Sequence, residues 1–458
     1  MQTSKRLEGI GEYYFSQKLR EIDELNIAGK NIINLGIGSP DLPPHPDVIK
    51  VLQEEAAKPN VHAYQGYKGS PVLRQAIKEW YRKWYAVELN ADTEILPLIG
   101  SKEGIMHICM TYLDKGDEVL VPNPGYPTYR SAVKLAGGKC VDYKLKEKNN
   151  YEPDFEKLEK LVGSSKSKIS AKMVPSDRRD REGAVKLMFV NYPQMPTGQQ
   201  PSKELFERIV AFGKKHNILI IHDNPYSFIL NENPMSLLSI VGAKDHVIEL
   251  NSLSKSHNMA GWRVGMLCGA KERIDEVLRF KSNMDSGMFL PVQLAAAKAL
   301  SLGREWHDEV NGIYRQRREK VFDLLDMLNC KYSTEQVGLF VWAAIPKKYK
   351  DGYELSDEVL YNSNVFITPG GIFGSAGEKY IRVSLCGTVE KFEEAIERIK
   401  ATSSLSPADK YPPVGETTNA PAPLFEVFFI FFNSCIKIIL LFRLISVIGF
   451  LSLPFGEI

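Results

Sequence analysis

The side chains best suited to covalent chemistry lie together in one short segment, residues 252–265. Ser252, Ser254 and Lys255 stand just after a predicted strand, and Arg263 follows eight positions after the lysine. A free lysine has a pKa of about 10.4 and is a poor nucleophile at neutral pH, but desolvation and a neighbouring arginine lower that pKa. The amine could then form a Schiff base with an aldehyde while Ser252 and Arg263 hold a phosphate. The alternative is an ordinary solvated lysine in a surface loop. That alternative would be preferred if only Ser-X-Ser-Lys were present, but the glycines and the arginine that follow favour a functional lysine.

A carboxylate lies 32 residues before this lysine. Asp223 ends an apolar run that starts at Ile220, and Tyr226 follows three positions later. Ligands of open α/β sheets collect at the carboxyl ends of the strands, so Asp223 is placed to contact one. The alternative is an aspartate that caps a helix ahead of Pro225, which is a common arrangement.

A phosphate site is predicted where a glycine precedes a helical run. Gly100, Ser101 and Lys102 come shortly before the apolar residues 105–113. Glycine lets the backbone approach a ligand closely, and the free amides at the start of a helix bind anions. On its own, the motif would more often be a plain helix cap.

These motifs resemble those of the class I/II pyridoxal-phosphate-dependent aminotransferases, and the resemblance extends over about residues 8–400. It implies an α/β fold of fold-type I, pyridoxal 5′-phosphate as the cofactor, and Lys255 as the lysine that binds it covalently. It also implies that Asp223 pairs with the ring nitrogen and that Tyr226 donates to the phenolic oxygen. The further cofactor contacts that it implies are Ser101, Lys102, Ser252, Ser254 and Arg263.

The resemblance assigns roles outside these motifs as well. Tyr126 matches the aromatic residue that stacks on the cofactor ring, and Tyr64 matches a tyrosine that reaches the phosphate of a neighbouring subunit. Tyr64 therefore implies a homodimer with shared active sites. Arg382 lies in an apolar, strand-like run, and its planar guanidinium would bind the α-carboxylate of the substrate, unless it forms a structural salt bridge. Gly36 would offer its amide to the substrate.

One position departs from the family pattern. The family usually has an asparagine before Pro-Thr-Gly, which bonds the phenolic oxygen, whereas this chain has Met195. A thioether cannot donate such a bond. Tyr226 would then make the contact alone, with Asn191 as a candidate assistant and cofactor-binding residue.

The pattern of the chain predicts an α/β scaffold for these residues. Short apolar runs with little alternation are typical of strands that are buried on both faces of a parallel sheet. Such runs occupy residues 118–121, 186–190, 218–222, 247–250 and 264–268. A helical pattern at 202–216 separates two of them, and strand-helix-strand order predicts sites at the carboxyl ends of the strands.

The same pattern predicts a division into domains. A smaller α/β unit is indicated by a helix at 306–328 and by strands at 338–345 and 380–385. We therefore expect a large cofactor-binding domain at 46–290 and a small domain at 291–400. The N-terminal segment, residues 1–45, is expected to join the small domain.

Three segments do not follow this alternation of strand and helix patterns. Residues 164–183 are polar and charged, which predicts a flexible insertion, and residues 401–423 have the composition of a linker. Residues 424–458 are intensely apolar and could be a membrane anchor, which needs about 20 mostly apolar residues. Arg443 would then lie mid-span, at a cost of roughly 2.5–3.5 kcal/mol. Non-native sequence and a docked soluble segment are the alternatives.

Composition excludes several protein classes. The 458 residues are 44% hydrophobic and 25% charged, which excludes a wholly disordered, collagen-like or coiled-coil chain. A net charge of +2 provides no electrostatic basis for binding nucleic acid. The six cysteines form no CxxC pair, which argues against a disulfide scaffold or a structural zinc site and favours a reducing compartment. The N-terminus does not resemble a secretory signal, so we expect a cytoplasmic protein. We expect no metal ligands in the site.

The expected activity is ping-pong transamination between an amino acid and a 2-oxo acid. A β- or γ-lyase would use the same lysine and aspartate, and it would release ammonia without an amino acceptor. A non-catalytic cofactor-binding module, or one tethered to a membrane, is the second alternative. The sequence leaves the diaminopimelate, aspartate and aromatic branches of the family open, because residues 283–289, which we expect to line the partner's site, are of mixed polarity.

Overall fold

The computed structural model describes residues 2–12, 14–167 and 184–403. The predicted insertion lies outside the described residues except for 164–167, and the predicted linker except for 401–403. The apolar segment 424–458 lies entirely outside them. Within the described part of the chain, no helix is both long enough and apolar enough to cross a membrane.

The strands are short, and most of them are buried. In chain order they are β1 (Ile33–Asn34), β2 (Ile95–Leu98), β3 (Glu118–Asn123), β4 (Lys139–Lys144), β5 (Val185–Val190), β6 (Leu219–Asp223), β7 (Val247–Ser252), β8 (Gly265–Gly269), β9 (Lys331–Tyr332), β10 (Phe340–Ala344), β11 (Val365–Phe366), β12 (Thr368–Pro369) and β13 (Tyr380–Ser384).

The helices alternate with these strands through most of the chain. They are α1 (Tyr14–Ile27), α2 (Pro46–Ala56), α3 (Pro71–Tyr85), α4 (Ser101–Tyr112), α5 (Pro127–Leu135), α6 (Phe155–Ser167), α7 (Lys203–His216), α8 (Leu253–Ser256), α9 (Lys271–Lys281), α10 (Leu290–Leu300), α11 (Arg304–Met327), α12 (Gly352–Ser363) and α13 (Val389–Ser403).

The main sheet carries the predicted strands. Within the described residues it has seven strands in the order β2-β8-β7-β6-β5-β3-β4. Neighbours from β4 to β7 are parallel, whereas β8 runs antiparallel to both β7 and β2. Helices flank a mostly parallel sheet, so the predicted α/β class is confirmed. The strand predicted at 264–268 is β8, and it is antiparallel to its neighbours, whereas the sequence predicted a parallel strand. Burial on both faces gives an apolar run in either direction.

The parallel strands bring polar residues to one edge of this sheet. Asp223 ends β6, Ser252 ends β7, and Asn191 directly follows β5. In the register between β6 and β7, Asp223 is paired with Leu250, so Asp223 and Ser252 lie near the same level. Because the strands are parallel, their carboxyl ends form one crevice.

The helix predicted at 202–216 is α7, and local sequence explains its limits. Ser202 caps its start, because the Ser202 hydroxyl accepts a hydrogen bond from the Leu205 amide at 3.0 Å. Leu205, Ile209 and Phe212 are buried on one face of the helix, as their helical spacing predicts. The helix ends at His216, and Asn217 follows it in the left-handed conformation.

A second sheet holds the C-terminal strands. In the described residues its order is β12-β13-β10-β9, with all neighbours antiparallel. The strands predicted at 338–345 and 380–385 correspond to β10 and β13, which place Trp342 opposite Arg382. Near the N-terminus, β1 pairs in parallel with β11, so Ile33 lies opposite Val365.

Candidate active site

A cavity of about 630 Å³ opens at the carboxyl edge of the parallel strands. Most of the site residues that were predicted from the sequence line this cavity. They are Ser101, Lys102, Tyr126, Asn191, Asp223, Tyr226, Ser252, Ser254, Lys255, Arg263 and Arg382. Gly36 and Tyr64 do not line this cavity within the described part of the chain.

Lys255 lies on α8, a single turn that directly follows β7. Its Nζ donates a hydrogen bond to the Gly38 carbonyl at 2.6 Å. Burial lowers the pKa of Lys255 to about 8, and the positive charges of Arg382 and Arg263 act in the same direction, while Cys386 opposes them. The amine is therefore a far better nucleophile and proton acceptor near neutral pH than an exposed lysine.

Ser252 and Ser254 shape the turn that carries this lysine. The Ser252 hydroxyl donates to the Ser254 hydroxyl at 2.9 Å, and it accepts from the Ser254 amide at 3.1 Å, which caps the turn. Arg263 follows in the left-handed conformation, with a φ of 58°. Its Nη1 donates to the Ala260 carbonyl at 2.8 Å.

The start of α4 forms a cradle for an anion. Gly100 precedes the helix with a φ of 82°, and no side chain caps the first turn. A Cβ atom on Gly100 would come within 2.1 Å of the Arg263 Nη2 atom, and one on Gly265 would come within 2.6 Å of the Ser101 amide nitrogen. Both glycines are therefore required for the arginine to lie against the free amides at the helix start.

Asp223 presents one bonded and one open carboxylate oxygen. Its Oδ2 accepts a hydrogen bond from the Tyr129 hydroxyl at 2.7 Å, whereas its Oδ1 is buried without a hydrogen-bond partner among the described residues. Burial raises the pKa of Asp223 to about 6, against the opposing effects of Tyr129 and His222. A buried carboxylate with an open oxygen fits a cationic N–H donor.

Two aromatic side chains form the walls around this carboxylate. Tyr126 meets Tyr129 edge-on, with ring centroids 5.5 Å apart, and Tyr226 meets Phe340 edge-on at 5.8 Å. Burial raises the pKa of both the Tyr126 and the Tyr226 phenols. Both hydroxyls are therefore protonated at neutral pH and can donate hydrogen bonds.

Arg382 lies buried on β13 at the opposite side of the cavity. Its Nη2 donates to the Gly36 carbonyl at 2.8 Å, and its Nη1 lies 3.4 Å from the Met195 sulfur. The guanidinium carbon lies 3.8 Å from the centre of the Phe340 ring. These contacts fix the plane of the guanidinium, which suits it to bidentate binding of a carboxylate.

Asn191 lines the cavity, but its amide joins two backbone segments. Its Nδ2 donates to the Asp223 carbonyl at 2.6 Å, and its Oδ1 accepts from the Met195 amide at 2.8 Å. Asn191 thereby ties the end of β6 to the loop that carries Met195. The side chain that was predicted as an assistant at the phenolic oxygen is used here to position Asp223.

Gly36 and Tyr64 occupy less direct positions. The Gly36 amide donates to the Asn34 side chain at 3.0 Å, while the Gly36 carbonyl accepts the bond from Arg382. Tyr64 is 91% exposed in the segment between α2 and α3.

Sequence reasoning missed several cavity residues. Tyr129 stood in the same aromatic run as Tyr126, and that spacing could have indicated it. Phe15, Phe340 and Phe373 also line the cavity, yet each lies in a different element. No local pattern marks single aromatic residues that only the tertiary fold brings together.

The arrangement combines four chemical capabilities in one cavity. It offers an amine with a lowered pKa, an anion cradle, a buried carboxylate with one open oxygen, and a fixed guanidinium. These groups suit an aromatic, phosphorylated aldehyde and a carboxylate substrate bound side by side.

The chain resembles known aminotransferases along most of its length. The sequence model of the family described as aminotransferase class I and II matches residues 30–399. A protein from Dehalococcoides mccartyi that is named LL-diaminopimelate aminotransferase is 39% identical over 401 residues, which cover 87% of this chain and 98% of the relative. The apo structure of BacF from Bacillus subtilis has a TM-score of 0.79 and 34% identity, and the match covers 88% of this chain and 98% of that one. A Thermus thermophilus aspartate aminotransferase has a TM-score of 0.77 at 23% identity over 88% of this chain and 100% of that one, a likeness that shows the fold alone.

Proposed function

Because the chain belongs to the class I and II aminotransferases, which use pyridoxal 5′-phosphate to move an amino group between an amino acid and a 2-oxo acid, we propose that its amino-acid substrate is LL-diaminopimelate. The observation that carries this proposal is the sequence identity with the Dehalococcoides mccartyi enzyme along nearly its whole length. That relative is an aminotransferase, which favours transamination over elimination at the β- or γ-carbon.

The described residues fit the cofactor. The anion cradle of Ser101, Lys102 and Arg263 would hold the phosphate, together with the hydroxyls of Ser252 and Ser254. The open Oδ1 of Asp223 would accept a hydrogen bond from the ring nitrogen and keep it protonated. When bound, pyridoxal 5′-phosphate accepts the electrons of the bond that breaks at the substrate α-carbon.

Two tyrosines complete the proposed cofactor site. Tyr126 would stack on the ring, which contributes roughly 0.5–1.5 kcal/mol beyond burial. Tyr226 would donate a hydrogen bond from its hydroxyl to the phenolic oxygen, because burial raises the pKa of Tyr226 and keeps that hydroxyl protonated. Met195 cannot share this task, since a thioether has no proton to donate.

Lys255 is the proposed general base. With a pKa of about 8, a useful fraction of its amine is neutral near pH 7.5 and can accept the proton of the substrate α-carbon. The Gly38 carbonyl, which now accepts from Nζ at 2.6 Å, holds the amine in the cavity. Arg382 would fix the substrate by its α-carboxylate, so that the α-carbon faces the lysine.

A homodimer is the proposed assembly. Four large apolar side chains on two loops remain exposed. They are Tyr64 (91%), Tyr67 (46%), Met284 (61%) and Phe289 (42%). Their two loops pack together, since a Cβ atom on Gly287 would come within 2.6 Å of the Gln65 carbonyl oxygen. Exposed apolar side chains on two packed loops are typical of a protein interface. By resemblance, Tyr64 would reach the phosphate in the partner subunit.

The proposed domain division follows the sheets. Two cores lie against the seven-stranded sheet, and a third core surrounds β10 and β13 and includes Ile33 and Leu35 from the N-terminal segment. These cores support a small domain that residues 1–45 join, but the predicted boundary at 290 does not follow them. Ala295, Ala299 and Leu300 of α10 belong to a core of the large sheet, so we place the boundary after α10. A cytoplasmic location remains a proposal, and fractionation with and without residues 402–458 tests it.

A panel of half-reactions tests the proposed substrate. The purified holoenzyme is mixed separately with LL-diaminopimelate, L-aspartate, L-lysine and L-phenylalanine, and the change in cofactor absorbance is followed. We expect LL-diaminopimelate to react with the largest second-order rate constant, by at least tenfold. A faster reaction with aspartate or phenylalanine would overturn the substrate and leave transamination standing.

A further inference from the structure

A cluster of three potential metal ligands, two of them on α4, lies outside the catalytic cavity. Glu103 and His107 are one turn apart on this helix, and Asp285 follows α9 in the chain. The nearest ligand atoms of the three side chains all lie within 4.8 Å of one another. The His107 Nε2 atom is 3.7 Å from the Glu103 Oε1 atom. None of the three residues lines the cavity that contains Lys255.

His107 is the observation that points to a ligand. It is only 4% exposed, and neither of its ring nitrogens has a hydrogen-bond partner among the described residues. The second oxygen of Asp285, Oδ2, is also buried without a partner in the same part of the chain. Buried polar atoms are rarely left unpaired, because leaving them so costs their full desolvation. His107 and Asp285 both have unpaired buried atoms and belong to a cluster whose ligand atoms lie within 4.8 Å of one another, which indicates a shared partner.

The neighbours of the cluster orient its ligand atoms. Asp285 Oδ1 accepts hydrogen bonds from the Lys281 Nζ at 2.7 Å and from the Gly287 amide at 2.9 Å, which leaves Oδ2 directed elsewhere. Glu103 Oε1 accepts from the Ile99 amide at 2.6 Å. Metal ligands are commonly held in this way by a second layer of hydrogen bonds. Lys281 contributes one positive charge, and Glu103 and Asp285 contribute two negative charges. The cluster therefore carries a net negative charge, which favours the binding of a cation.

We propose that Glu103, His107 and Asp285 bind a divalent first-row transition metal of the zinc class. An imidazole nitrogen with carboxylate oxygens suits such ions better than magnesium or calcium, which prefer oxygen ligands. Ligand distances of about 2.0–2.2 Å place donor atoms roughly 3–4 Å apart, so small side-chain shifts would close the site. The ion would join the phosphate-cradle helix to the loop that carries Met284 and Phe289.

Cobalt binding tests this proposal independently of turnover. A tag-free holoenzyme is stripped with a chelator and titrated with Co²⁺, and the visible absorption of coordinated cobalt is followed. We expect one Co²⁺ per chain, with affinity at least tenfold lower in His107→Ala and in Asp285→Asn. Asp285→Asn keeps the side-chain shape, so it serves if His107→Ala does not fold. Native circular dichroism confirms the fold of each variant.

A matched control is available on α7. His216 lies 2.9 Å from Glu159, yet the pair has no third ligand within the described residues. His216→Ala should therefore leave the cobalt spectrum and the affinity unchanged. The proposed site would be overturned if the parent does not bind Co²⁺ or if the Asp285→Asn variant binds it as tightly as the parent. It would also be overturned if His216→Ala loses as much affinity as His107→Ala. A trapped water molecule would then be the partner of His107.

Discussion

The protonation of Asp223 depends on its burial and on a hydrogen bond from Tyr129. The Tyr129 hydroxyl stabilises the charged carboxylate through a bond of 2.7 Å and opposes the rise in pKa that burial causes. Tyr129 also stacks on Phe189, with ring centroids 4.7 Å apart, so its hydroxyl is rigidly placed. Tyr129 is therefore a positioning residue for the carboxylate.

We expect Tyr129→Phe to move the acidic limb of the kcat profile to higher pH. Loss of a hydrogen bond to a charged group costs about 1.5–3 kcal/mol, which corresponds to roughly one to two pKa units. The pKa of Asp223 would rise, and the charged form would need a higher pH. The measurement is kcat against pH between 5 and 9. Tyr143→Phe is the control, because the Tyr143 hydroxyl donates to the Phe189 carbonyl instead. An acidic limb that stays in place in Tyr129→Phe would contradict this role.

Single residues also show where sequence reasoning stops. Lys255, Asp223 and Arg263 stand in local motifs whose spacing predicts a chemistry, and they do converge in one cavity. Phe340 lies far in the sequence from Tyr226 and Arg382, which its ring contacts, so no spacing indicates it. The hydrogen bonds of Asn191 to two backbone segments could not be predicted from the sequence either, because they depend on how β5 and β6 are aligned.

At the scale of elements, the junction between Gly100 and α4 determines the phosphate cradle. We expect Gly100→Ala to weaken cofactor binding at least tenfold, since its Cβ atom would come within 2.1 Å of the Arg263 Nη2 atom. The measurement is the dissociation constant of pyridoxal 5′-phosphate from absorbance titration of the apoprotein. Gly29→Ala is the control, because Gly29 has the same φ of 82° and nothing within 4 Å of its Cβ position. Equal affinities in the two variants would contradict the cradle.

The elements themselves were predictable to different degrees. The buried strands β3, β5, β6 and β7 were recognisable because they are continuous apolar runs. In contrast, β4 is partly exposed and carries charged residues, and a two-residue strand such as β1 has no periodicity to detect. The antiparallel direction of β8 follows from chain connectivity, which an apolar run does not encode.

At the scale of the whole molecule, the buried amine reduces the stability of the fold. The pKa of Lys255 falls from its usual 10.5 to about 8, so the folded chain binds that proton less tightly than the unfolded chain. Stability is therefore penalised below pH 8, and the penalty disappears as the pH rises from 8 towards 10.5. At about 1.4 kcal/mol per pKa unit, it is on the order of 3 kcal/mol.

We therefore expect Lys255→Met to be more stable than the parent when both are prepared without cofactor. The gain should be up to about 3 kcal/mol at pH 7 and should shrink by pH 9.5, because the parent amine is then mostly neutral. Urea unfolding at the two pH values measures it. Lys214→Met, which removes an exposed lysine on α7, should change stability little at either pH. A Lys255→Met variant that is less stable than the parent at pH 7 would contradict the penalty.

The identity of the lysine that binds the cofactor is the claim on which the rest depends. The holoenzyme is reduced with sodium borohydride, digested, and mapped by mass spectrometry. We predict a pyridoxyl group on the peptide that contains Lys255, and none on any peptide of the Lys255→Ala variant. A label on Lys102 or another lysine, or an unlabelled peptide at position 255, would contradict the account.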